Sequence, residues 1–194
     1  MTPSPGSTIT NITSFSGPVI FSDASWTIGS DGQPTPAGLG IFIRMGNEGR
    51  CSQLCISVVS PPVTSVILAE AFSLMLATQI AGILQLQQAT FLTDSATLAK
   101  AVAAQSPILA PGHWTIRPQL AYIAASSPFN SSKIYHIPRN YNFRAHHQAK
   151  LALKLKSRTF SFRCLASGND TCLNAHVMVQ SPVLQCTFVH VRCC

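Results

Sequence analysis

A chain of 194 residues has room for one domain of about 150 residues with its own core and ragged ends, and not for a second. Apolar residues at 46% against charged residues at 10% exclude a disordered chain. Thirteen Lys and Arg against six Asp and Glu give +7, and no acid falls between Ser95 and Asn169, where Lys100, Arg117, Lys133, Arg139, Arg144, Lys150, Lys154, Lys156, Arg158 and Arg163 all lie, so that half is a candidate phosphate-binding surface.

Residues 1–17 are dominated by Pro, Ser and Thr without a period and read as a flexible leader. From Pro18 the pattern turns period-2: Val19, Phe21 and Asp23 alternate with Ile20, Ser22 and Ala24, which predicts a strand with Asp23 on the face of Val19 and Phe21. The turn-rich SDGQPTPAG leads to a second strand over Gly38–Arg44, and after a Gly46–Gly49 turn a third over Cys51–Val59 is closed by Pro61-Pro62. A long helix over 64–85 follows. Next come a fourth strand, Ala89–Thr93, ending at Asp94, and a helix over Ala96–Ala104 that Ser95 can cap. Trp114–Ala125 predicts a further helix after the Pro111-Gly112 break, Ser132–Ile137 a fifth strand ended by Pro138, and Asn142–Lys156 a closing helix rich in Ala and Lys. The order β-β-β-α-β-α-α-β-α predicts an α/β domain over 18–156, a mixed sheet with helices on both faces. Residues 157–194 lose the period and read as a Cys-containing tail of uncertain order.

Two classes of function are set aside on residue type. The run 63–86 is long and apolar enough to span a bilayer, but Glu70 one third of the way along, with Ser65, Thr78, Gln79 and Gln85 around it, suits a buried core helix and a protein with no membrane partner. Seven cysteines and no basic-apolar signal at the start point to reduced thiols and an intracellular protein. Cys51 and Cys55 share a strand face and suit packing. Cys164, Cys172, Cys186, Cys193 and Cys194 with His176 and His190 show neither a CxxC pair nor His-x₃₋₅-His spacing, which argues against zinc.

Of the six acids, Asp31 and Glu48 lie in turns and Asp170 in the tail. The other three stand in apolar settings: Asp23 in the first strand, Glu70 early in the long helix, and Asp94 at the C-terminal end of the fourth strand, where side chains of α/β sheets commonly meet ligands. Each alone has an ordinary reading as a strand end or a solvated helix start. Together they can converge, and a buried carboxylate cluster without bases either protonates or binds a hard cation. Combined with the basic second half, this points to a metal-dependent phosphodiesterase.

The segments FSDASW, AGLGIFIR, ILAEAFSLMLA, FLTDSATL, HWTIRPQLAYI and YHIPRNYNFRAHHQAKLA, in this order from about Pro18 to Lys156, resemble successive blocks of the reverse-transcriptase-associated ribonuclease H domain abundant in plant genomes. The resemblance implies a ribonuclease H-like fold, a five-stranded mixed sheet of order 3-2-1-4-5 with the second strand antiparallel to the rest. It implies a monomeric endonuclease without a small-molecule cofactor that cleaves the RNA strand of RNA/DNA hybrids by two-metal hydrolysis, with two Mg²⁺ or Mn²⁺ ions. Carried over residue by residue, Asp23, Glu70 and Asp94 are the catalytic and metal-binding acids. The family's fourth acid, in the pattern Asn-x-x-x-Asp, falls here on His146 after Asn142–Ala145, so imidazole takes the fourth metal position without a negative charge and favours manganese over magnesium. His136, ten residues earlier, falls where bacterial-type members carry a general-acid histidine, or else simply ends a strand. Arg139, Arg144, Lys150 and Lys154 are candidate phosphate contacts, and Gly38 and Gly40 candidate points of close backbone approach, in keeping with recognition by backbone and 2′-hydroxyl contacts. The missing fourth acid keeps a second reading open, a degenerate retroelement-derived module that binds nucleic acid and cleaves it weakly.

Overall fold

The computed structural model describes residues 3–12, 15–45, 52–104, 114–126, 129–130, 133–155, 159–164, 180–181 and 186–187. The expected Gly46–Gly49 turn and Cys51, Cys172, Cys193, Cys194, His176, His190 and Lys156 lie outside them. Strands β1 (Val19–Ser25), β2 (Thr35–Met45) and β3 (Ser52–Val63) form an antiparallel meander. Helix α1 (Val66–Ile83), strand β4 (Thr90–Thr93), helices α2 (Ala96–Ala103) and α3 (Arg117–Ala125), strand β5 (Ile134–His136) and helix α4 (Phe143–Leu155) follow. Strand β4 runs parallel to β1 and β5 parallel to β4, which gives the order 3-2-1-4-5 with β2 antiparallel to the other four. This is the ribonuclease H-like fold.

Alternation along the strands sorts the side chains onto the two faces. Ile20, Leu39, Ile41, Ile43, Leu54, Ile56, Phe91 and Ile134 pack against α1, α2 and α3 in the main core. Val19, Phe21, Phe42, Leu92 and Tyr135 form a second cluster with Ala145 of α4. Helix α1, long and apolar enough in sequence to cross a membrane, has most of its residues buried inside the fold. Its start is fixed by Ser65, whose Oγ accepts from the Leu68 N–H. Ser95 caps α2 in the same way through the Leu98 N–H.

Four features differ from the sequence expectation. Strand β3 runs on through Pro61 and Pro62 to Val63; Pro62 sits opposite Pro36, at the end of the ladder beside an irregular step between Pro36 and Gly38, where missing N–H donors cost little. Residues 159–164, expected to be aperiodic tail, add a sixth strand (β6, Thr159–Cys164) antiparallel to β3 and so cover its outer edge. The short strands Gln180–Ser181 and Cys186–Thr187 pair with each other in a separate two-stranded sheet. At the opposite edge of the main sheet the leader is held against β5: Gly6 N–H donates to the Ile134 carbonyl, His136 N–H to Ser7, and Ile9 N–H to His136. Ile9 is buried, and Ile12 and Phe15 pack with it on the second cluster, so these apolar residues cover sheet surface.

Candidate metal centre

Register brings the three acids to one end of the sheet. Asp23 lies near the C-terminal end of β1, opposite Gly40, and the next pairing along, Ser22 with Thr93, sets Asp94 one residue beyond the parallel neighbour β4. Glu70 enters from the early turns of α1, which is tied to this point by Ser73: its Oγ donates to the Asp23 carbonyl at 2.8 Å and lies 3.4 Å from that of Gly40. One carboxylate oxygen from each of Asp23, Glu70 and Asp94 then lies within 4.8 Å of the others. Asp23 is 2% exposed and Glu70 8%, whereas Asp94 is half-buried.

Two of these carboxyl groups, those of Asp23 and Glu70, resist ionisation. Burial pushes the Asp23 carboxyl up to about 8, assisted by the charge of Asp94 and a hydrogen bond with it, against the opposing pull of Arg139. Glu70 is raised well above its ordinary value, first by burial and then by the charges of Asp23 and Asp94. The Glu70 Oε2 atom is buried without a hydrogen-bond partner. An oxygen-rich pocket with an orphaned buried carboxylate oxygen and groups forced toward protonation fits a hard divalent cation, which would neutralise the repulsion and give that oxygen a partner.

The start of α4 faces the same cluster. Asn142, fully buried, donates from Nδ2 to the Ser22 carbonyl at 2.9 Å and to Asp94 Oδ1 at 3.1 Å, and its own carbonyl accepts the His146 N–H. One turn on, His146 Nδ1 stands 2.7 Å from Asp23 Oδ2. Burial lowers the basicity of His146, as do the charges of Arg139 and Lys150, with Asp94 opposing them. Sequence reasoning does not single out Asn142 or Ser73 as site residues. Asn142 is nevertheless visible as the first residue of its motif, while nothing in the sequence distinguishes Ser73 from any other helix serine.

The remaining candidates disperse. His136 ends β5 with Nδ1 2.8 Å from Thr8 Oγ1 of the leader, one strand beyond Thr93. Arg139 is exposed and close enough to act electrostatically on Asp23, Glu70 and His146. Lys150 and Lys154 are exposed on α4. The guanidinium of Arg144 lies 4.7 Å from the Phe42 ring centroid and donates to Gln53 Oε1 at 2.6 Å, an engagement within the fold rather than with a phosphate. Gly38 and Gly40 correct the expectation placed on them: both are buried beneath α4. A Cβ at either would come within 2.0 Å of a helix carbonyl, that of Ala149 over Gly38 and that of Ala145 over Gly40. They admit the helix, not a nucleic acid.

The chain matches the reverse transcriptase-like family over residues 24–152, most of its length, and belongs to that family. Among solved structures it is similar to ribonuclease H1 of the halophilic archaeon Halobacterium salinarum NRC-1, with 19% identity, a TM-score of 0.53, and coverage of 72% of this chain and 98% of that one. It is also similar to LC11-RNase H1 in complex with an RNA/DNA hybrid, at 21% identity and a TM-score of 0.56 over 72% of this chain and 98% of the other. A third, LC9-RNase H1, described as a type 1 enzyme with the type 2 active-site motif, shares 16% identity at a TM-score of 0.53 over 82% and 77%. These likenesses establish the fold. No curated protein matches the chain.

Proposed function

We propose that this protein is a divalent-metal-dependent endoribonuclease that cleaves the RNA strand of RNA/DNA hybrids. The observation that carries the reading is the convergence of Asp23, Glu70 and Asp94 at the strand ends, with Glu70 Oε2 buried and unpartnered. These three residues would hold Mg²⁺ or Mn²⁺, which supplies Lewis-acid stabilisation of the charge that develops on phosphate and activates the attacking water. Asn142 orients Asp94 through its amide, and Ser73 pins the backbone of Asp23, so two of the acids are fixed before substrate arrives. Exposed Arg139 at the acids and Lys150 and Lys154 along α4 give the phosphate backbone a positive approach. The bound hybrid of LC11-RNase H1, on the same fold, supports the substrate class.

A second reading, a nucleic-acid-binding module that cleaves weakly, is favoured by His146 in place of the fourth acid. A relative of type 1 fold with a different active-site motif, LC9-RNase H1, argues that the scaffold accommodates variation there. One assay separates the two. A labelled RNA/DNA hybrid is incubated with the protein in Mg²⁺ and in Mn²⁺ beside Asp23→Asn, which keeps the shape and removes the charge. The enzyme reading expects cleavage by the parent protein and none by the folded variant. Binding without cleavage in either metal establishes the module instead, and equal cleavage by both proteins removes Asp23 from the site.

A further inference from the structure

Two side chains at the start of α4 reach the acidic cluster: Asn142 Nδ2 donates to Asp94 Oδ1 at 3.1 Å, and His146 Nδ1 stands 2.7 Å from Asp23 Oδ2, while the Ala24 backbone bonds to Asp23 and Glu70 from β1. The unsatisfied oxygen of the cluster, Glu70 Oε2, belongs to α1, and its residue is 8% exposed. One oxygen each of Asp23 and Asp94 is therefore engaged by α4, while Glu70 offers a free buried lone pair from the other helix.

We propose that His146 replaces the second cation, so that the cluster of Asp23, Glu70 and Asp94 holds a single divalent ion. The inference rests on the metal-dependent reading above and narrows it. A carboxylate that bridges two cations turns an oxygen toward each, and in this chain the His146 ring nitrogen stands 2.7 Å from Asp23 Oδ2, where a second cation would approach that oxygen. With Asp23 ionised beside a cation, that oxygen only accepts, so Nδ1 carries the hydrogen and cannot also coordinate metal. Charge points the same way. Four carboxylates balance two divalent ions, whereas three leave a surplus positive charge on a doubly occupied site, and a neutral imidazole does nothing to offset it. Magnesium and manganese both favour oxygen ligands, so the site that keeps its free oxygens is the one retained.

The test counts ions rather than turnover. Mn²⁺ is titrated into the protein, and into His146→Asp and His146→Asn, with bound metal followed by electron paramagnetic resonance and calorimetry. The expectation is one Mn²⁺ per parent chain, one for His146→Asn, and two for His146→Asp. Should the Asp variant fail to fold, ¹⁵N spectra of the parent decide: the His146 Nδ1–H signal is expected to persist, still hydrogen-bonded, through Mg²⁺ saturation. Two ions on the parent chain, an unchanged count in folded His146→Asp, or loss of the Nδ1–H signal on adding metal overturns the inference and leaves the metal-dependent reading intact. No bound ion in any folded variant overturns that reading, and the inference with it.

Discussion

Asp23 sets the energetic terms of the site, because its ionisation is opposed first by burial and then by the charge of Asp94 and a hydrogen bond with it. In the unfolded chain this carboxyl titrates at its ordinary value of 3.8, and in the fold at about 8. Between those values the folded state holds a proton that the unfolded state has lost, so stability falls as pH rises across the window and levels above it. Glu70, raised by the same causes, acts in the same direction. A bound divalent cation favours the ionised carboxylates and reverses the effect. The expected outcome is a melting temperature in chelator that drops from about pH 5 to about pH 8, with the drop largely removed by Mg²⁺ or Mn²⁺. Thermal melts at both pH values, with and without metal, check this. A pH dependence that metal leaves untouched would place the ion away from Asp23.

Helix α4 positions the histidine and asparagine of the site, and its distance from the sheet is set by two absent side chains. Gly38 and Gly40 let the Ala145 and Ala149 backbone settle onto β2, so that Asn142 and His146 reach Asp94 and Asp23. Gly40→Ala would drive a methyl group into the Ala145 carbonyl, a backbone atom that can yield only if the helix lifts. We expect a destabilisation of about 1–3 kcal/mol, typical of overpacking, together with a weaker His146–Asp23 hydrogen bond, read by urea unfolding and by the imidazole Nδ1 chemical shift. An unchanged midpoint would mean that α4 shifts without cost. This close packing is hidden in the sequence, where glycines after a turn are equally compatible with a turn and with open approach to a ligand. The element order and the period-2 face of Asp23 are legible because local pattern decides them. The edges are not: Thr159–Cys164 does alternate, but a single short run does not reveal its partner, and the polar leader gives no sign that Ile9 and Phe15 find apolar surface beside β5. Pairing at sheet edges is a long-range choice, and composition does not report it.

Across the whole molecule the charges are segregated, with ten of the thirteen Lys and Arg inside the acid-free stretch between Ser95 and Asn169. The sequence shows this asymmetry but not which cations remain available once the chain has folded. Arg144 is engaged by Phe42 and Gln53, and Lys133 donates to the Gln88 carbonyl at 3.1 Å, while Lys150 and Lys154 extend from the exposed side of α4. Arg139 lies at the acids, so a phosphate backbone crossing the site could continue along that helix, toward Lys156 just beyond it in the sequence. Each phosphate that a lysine neutralises releases condensed counterions, so the salt dependence of binding reports how many phosphates are held. Replacing Lys150, Lys154 and Lys156 together with Ala is therefore expected to weaken hybrid binding and to flatten the slope of log affinity against log salt by up to about 2.7, roughly 0.9 for each phosphate no longer neutralised. The same variant should cleave at nearly the parent rate once saturated with hybrid, because its substitutions leave the three carboxylates, and the hydrogen bonds of Asp23 and Asp94 to the start of α4, in place. Fluorescence anisotropy with a labelled hybrid in chelator, across a salt series, measures the slope without cleavage. A slope equal to that of the parent protein would take the nucleic acid off α4 and assign the positive approach to the remaining cations.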